Sequence, residues 1–133
     1  MFKNRIGFLI LFSLLVMAAC KKDVNPSITQ DPVISILAPT INNTISLSAV
    51  DSIFLQIAVS DNDGLHLVVT NIYNQDGVNV FKQADHVDDL EYHLQKYFLP
   101  ANITTESTYK LRIDAEDHSG HTANKIIWFT VKP

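Results

Sequence analysis

Histidine and aspartate are the side chains of this sequence best suited to chemistry, and they gather in its turns. Four of the five histidines, His66, His86, His118 and His121, stand in or beside three aspartate-rich segments. These are Asp61-Asn62-Asp63-Gly64, residues 82–89 with Asp85, Asp88 and Asp89, and Asp117-His118-Ser119-Gly120-His121. Imidazole nitrogens helped by a carboxylate can ligate Zn²⁺ or Cu²⁺ at ~2.0–2.1 Å. Carboxylates alone can hold Ca²⁺ at ~2.3–2.6 Å. His118 and His121 lie three apart across a glycine turn, a spacing that lets both face one ion. The same residue types are also ordinary turn formers, and their spacing matches no tight ligand motif such as H-E-x-x-H. His93 reads as a strand residue without special chemistry.

Catalysis finds no support, so no catalytic residue is expected. The only thiol is Cys20, which the leader described below assigns to acylation rather than to a nucleophile. Neither G-x-S-x-G nor a Gly-rich phosphate loop occurs. The neighbouring acids Asp88 and Asp89 lie in a segment too polar to raise a carboxyl pKa.

The elements that must position these residues follow from alternation. Ile53, Leu55, Ile57 and Val59 alternate with Phe54, Gln56, Ala58 and Ser60. Tyr109, Leu111, Ile113 and Ala115 alternate with Lys110, Arg112, Asp114 and Glu116, one row apolar and the other charged. Ile127, Phe129 and Val131 make a third inward row, and Val68, Thr70 and Ile72 a fourth. A period of two means strands with one buried face. Shorter strands are expected at 33–37, 44–47 and 78–81, with 82–89 as a loop. Residues 90–98 fit either a strand or a helix capped by Asp88 and Glu91, and a sandwich needs the strand. Gly64, Gly77 and Gly120 each close a turn signal.

About seven short strands with no secure helix predict an all-β fold, a single antiparallel β-sandwich over residues 33–133. Residues 52–60, Asp61-Asn62-Asp63-Gly64-Leu65-His66, residues 108–117 and residues 122–131 resemble immunoglobulin-like or fibronectin type III-like modules of Bacteroidota lipoproteins. Tyr109 resembles the tyrosine-corner residue of such sandwiches. The resemblance implies that the three aspartate-rich segments meet at one end, which makes His66, His86, His118 and His121, with Asp63 or Asp117, candidate ligands of one metal ion. It implies no particular activity.

The start of the chain reads as a lipoprotein leader, residues 1–19. Lys3 and Arg5 form a positive n-region, 6–17 is apolar, and Ala18 and Ala19 precede the lone cysteine. The residues Val16-Met17-Ala18-Ala19-Cys20 resemble a lipobox, with Met17 where leucine is usual. The resemblance implies a diacylglycerol and an amide-linked acyl chain on Cys20, enough to anchor a small protein. Lys21, rather than Asp, after the cysteine implies the outer membrane, and Lys21-Lys22-Asp23 resembles the start of Bacteroidota surface-export signals. Residues 20–32 then form the lipidated cysteine and a tether without apolar periodicity, of which residues 21–31 reach ~36 Å when extended.

Charge and alternation set the partner classes. Without Lys3 and Arg5, 8 Lys plus Arg face 14 Asp plus Glu, a formal charge of −6. That disfavours nucleic acid and suits a monomeric domain held to the membrane only by its lipid. If Val68, Thr70 and Ile72 point inward, then Leu67, Val69 and Tyr73 point out. If Ile127, Phe129 and Val131 point inward, then Ile126 and Trp128 point out beside Arg112. Leu67, Val69, Tyr73, Arg112, Ile126 and Trp128 therefore form a candidate face for a protein or glycan partner. Asp51-Ser52-Ile53 also resembles a short O-glycosylation motif of exported Bacteroidota proteins.

Overall fold

The computed structural model describes residues 30–48 and 52–133. The leader and Cys20 lie outside the described residues. Eight strands follow in order: β1 (Val33–Ala38), β2 (Thr44–Ser46), β3 (Ile53–Ser60), β4 (Leu65–Tyr73), β5 (Asn79–His86), β6 (Glu91–Phe98), β7 (Ser107–Asp117) and β8 (Thr122–Lys132).

They form two sheets, β1-β3-β6 and β2-β8-β7-β4-β5, the arrangement of an immunoglobulin-like β-sandwich. All pairings are antiparallel except β2 with β8, which run parallel from Thr44↔Thr130 to Ser46↔Lys132. This short strand is the one expected at 44–47.

The alternating rows behave as their period requires. Ile53, Leu55, Ile57 and Val59 of β3 are buried against Leu111, Ile113, Ile127, Phe129 and Val131 of the other sheet. An aromatic series runs through the core, with ring centres 6.1 Å apart for Phe81–Phe98, 6.0 Å for Phe98–Tyr109 and 5.6 Å for Tyr109–Phe129.

Residues 90–98 resolve to strand β6, paired with β3 from Ile53↔Phe98 to Ser60↔Glu91. The expected loop at 82–89 is a correction. Lys82 to His86 continue β5, pairing with β4 from Asn71↔Lys82 to Leu67↔His86. β5 is an edge strand, so its inward positions Gln83 and Asp85 can be polar. Asp85 accepts hydrogen bonds from Gln83 Nε2 at 2.7 Å and from the Tyr92 hydroxyl of β6. This link joins the open edges of the two sheets. Burial, then the hydrogen bond and charge of Asp85, push the Tyr92 hydroxyl pKa up. On the opposite side Lys125 Nζ donates to the Ile34 carbonyl at 3.0 Å.

Candidate functional site

Three connections meet at one end of the sandwich: residues 61–64 between β3 and β4, residues 87–90 between β5 and β6, and residues 118–121 between β7 and β8. Backbone hydrogen bonds tie them together. Asp61 N donates to Leu90 O at 2.9 Å, Leu65 N to Asp89 O at 2.8 Å, Val87 N to His66 O at 2.9 Å, and His118 N to Gly64 O at 3.0 Å. Gly64 sits at φ +90°, and a Cβ there would lie 3.4 Å from His118 Cδ2. Glycine thus serves both the left-handed backbone and the approach of the histidine.

The six sequence-derived ligand residues divide into two groups at this end. In the first, His66 meets His86 edge-on with ring centres 4.6 Å apart, and His118 at 5.2 Å. Asp88, absent from the sequence-derived set, joins them: its Oδ1 lies 3.3 Å from both His86 Nε2 and His118 Nε2. His66 Nδ1 is buried without a hydrogen-bond partner among the described residues.

His121 turns to the second group, with Asp117 and Asp63. Their ligand atoms all lie within 4.8 Å of one another. The β7–β8 turn itself positions the pair. Asp117 Oδ1 accepts from His121 N at 2.8 Å, and Oδ2 stands 2.7 Å from His121 Nδ1. The Asp117 side chain is fully enclosed. Burial pushes its carboxyl pKa up, but the His121 ring, the His121 amide, the ring's charge and the Ser119 amide outweigh this and hold it below the ordinary range. The bond to Asp117 raises the His121 pKa against burial, helped by the charges of Asp117, Asp31 and Asp63. Asp63 is held by its own turn, donating its amide to Asp61 Oδ1 at 2.7 Å.

The remaining acids have local duties. Asp89 Oδ1 accepts from Leu90 N at 2.7 Å, and Asp85 belongs to the link between the sheet edges. His93 is exposed, 3.5 Å from Glu91.

The outer face of the five-stranded sheet carries the second set. Tyr73 pairs with Lys110 and Lys110 with Trp128, which makes one row across β4, β7 and β8. Asn71, Arg112 and Ile126 make the next row, and Val69, Asp114 and Asn124 the one after. Trp128 is 49% exposed and Ile126 43%; Leu67, Val69 and Tyr73 are half-buried. Lys110 Nζ stands 4.4 Å from the centre of the Tyr73 ring and 5.9 Å from that of Trp128. Sequence reasoning passed over this lysine, although its place opposite Trp128 follows from the β7–β8 register. Arg112 grips Asp114 through Nε and Nη2 at 2.7–3.0 Å. A shallow groove of about 310 Å³ runs beside this pair, bounded by Leu67, Val69, Glu116 and Asn124.

Fold and site together define a small all-β sandwich domain with a histidine- and aspartate-bearing loop pole. No protein-family model and no curated protein matches the chain. Among solved structures it is similar to CopC from Methylosinus trichosporium OB3b, at 15% identity over 79% of this chain and 92% of that one, with a TM-score of 0.46. It is also similar to the E. coli chaperone DraB, at 11% identity over 78% of this chain and 56% of that one, with a TM-score of 0.51. The chain thus matches little more than half of DraB, and that likeness concerns the sandwich fold alone. Among the described residues no helix is long and apolar enough to cross a membrane.

Proposed function

We propose that this protein is a non-catalytic, lipid-anchored envelope module that binds a divalent metal ion at its loop pole, through Asp63, Asp117 and His121. The observation that carries the reading is the convergence of three ligand atoms, from the β3–β4 connection, the end of β7 and the turn after it, within 4.8 Å. Ligands on one ion at ~2.0–2.2 Å stand no more than about 4.4 Å apart, so only small side-chain shifts are needed. Asp117 Oδ2 and His121 Nδ1 already stand 2.7 Å apart, so an ion would take the place of the proton they share, with Asp63 as the third ligand. One imidazole with carboxylates suits Zn²⁺ or Cu²⁺; Ca²⁺ would require six to eight oxygens. The leader pattern ending at Cys20 supports anchoring in the outer membrane.

Saturating Zn²⁺ should raise the melting temperature of the untagged chain, and Asp63→Asn or His121→Gln should remove that part of the rise due to this site. An unchanged rise in both variants would overturn the reading.

A second reading, docking of a protein or glycan on the outer sheet face, is favoured by the exposure of Trp128 beside Ile126. Tryptophan at the centre of an interface commonly dominates its energy. A photo-crosslinking residue at position 128 should trap a discrete adduct in intact cells, and one at position 95 on the other sheet should not. Protease or glycosidase digestion then tells protein from glycan. The same adducts from both positions would sink this reading.

A further inference from the structure

We propose that His66, His86 and His118, with Asp88, form a second metal site of different chemistry, taking a borderline divalent ion, Cu²⁺ ahead of Zn²⁺, chiefly through imidazole nitrogens. It goes beyond the reading above, because it needs neither Asp63 nor the Asp117–His121 pair.

The first argument is convergence. The three rings come from β4, the end of β5 and the turn before β8, segments remote in sequence. Their backbones are fixed to one another where they meet: Val87 N is bonded to His66 O and His118 N to Gly64 O. The scaffold therefore brings the three side chains to one place.

The second is spacing. Two imidazoles on one tetrahedral ion, each nitrogen at ~2.0–2.1 Å, have ring centres about 5 Å apart. His66 lies 4.6 Å from His86 and 5.2 Å from His118. The Nε2 atoms of His86 and His118 both lie 3.3 Å from the single atom Asp88 Oδ1, which stands between them, so the two rings must swing inward, with Asp88 moving aside, to meet on one ion. These contacts are longer than the 2.7–2.9 Å of a closed charge-assisted hydrogen bond, which leaves the rings free to turn onto an ion.

The third is hydrogen bonding. Imidazoles packed against one another waste donors and acceptors, and His66 Nδ1 is buried with no hydrogen-bond partner among the described residues. A polar atom buried in this way calls for a specific reason. An ion ligated by the ring supplies one, since metal-bound histidine is a neutral ligand whose orientation the protein must fix.

Access and selectivity follow. The side chains of His86 and His118 are 58% and 45% exposed, so an ion can enter from solvent. Three nitrogens and one carboxylate oxygen form a borderline donor set that discriminates against Ca²⁺ and Mg²⁺, and the order of divalent affinities puts Cu²⁺ above Zn²⁺. The Asp63–Asp117–His121 group offers a single imidazole.

Electron paramagnetic resonance of the untagged mature chain in detergent, with one equivalent of Cu²⁺, separates the two sites. The expected spectrum shows nitrogen splitting from at least two imidazoles. His86→Gln and His118→Gln, both at exposed side chains, should each weaken Cu²⁺ binding at least tenfold and reduce the splitting, and His121→Gln should leave both unchanged. Without any substitution, Zn²⁺ should shift the ring nitrogen resonances of His66, His86 and His118 and spare His93. Splitting from a single nitrogen, loss of the pattern in His121→Gln, or persistence of full binding in both His86→Gln and His118→Gln would overturn the proposal.

Discussion

Asp117 and His121 hold each other twice, through the backbone amide at 2.8 Å and the ring nitrogen at 2.7 Å, and so fix the turn between the two longest strands. The pair titrates in opposite directions. The His121 pKa is raised above its ordinary 6.5, so its contribution is full below about pH 6.5 and fades as pH rises through the raised value. The Asp117 pKa is lowered from 3.8, so its contribution is full above that pH and is lost as pH falls through the lowered value. Both act between about pH 4 and 6.5. Thermal melts in a metal chelator should therefore show the gap between wild type and His121→Gln widest near pH 5 to 6 and narrower at pH 8. A gap of constant size would contradict the ion pair.

Leu111 is 0% exposed in the middle of β7, between Ile72 of β4 and Ile127 of β8 in register. Leu111→Ala should cost ~2–5 kcal/mol, the usual range for a fully enclosed leucine whose cavity cannot collapse. Urea unfolding followed by circular dichroism measures it. A loss near zero would mean that the core row of β7 is not packed as described.

Cys20→Ala should release the protein from membranes into the soluble periplasmic fraction, because the lipid is the expected anchor. Membrane retention of this variant after a high-salt wash would contradict lipid anchoring.

The strands were legible where chemistry alternates sharply. In β7 every inward residue from Tyr109 to Ala115 is apolar and every outward one is charged, so period alone places them. β5 was cut short because an edge strand tolerates polar residues inward: Gln83 and Asp85 look like loop residues until Tyr92 of the facing sheet is seen to meet Asp85. Residues 90–98 were ambiguous because Leu90, Leu94 and Phe98 fit periods of both two and 3.6. The loop pole was readable as a concentration of histidine and aspartate, but its division was not. Whether His118 and His121 share a partner depends on which way each ring leaves the turn, and the Asp117 bond to His121 decides that. Asp88 was visible among the aspartates of the pole but not as a partner of two histidines, because that role arises only where the end of β5 and the β7–β8 turn approach each other.

Calorimetric titration of the untagged, metal-free chain with Zn²⁺ tests the metal-binding account most directly. Wild type should bind with at least one class of site whose affinity falls tenfold or more in the double variant Asp63→Asn with His121→Gln, as loss of direct ligands requires. Identical isotherms for wild type and this variant, or no heat of binding in wild type, would contradict it.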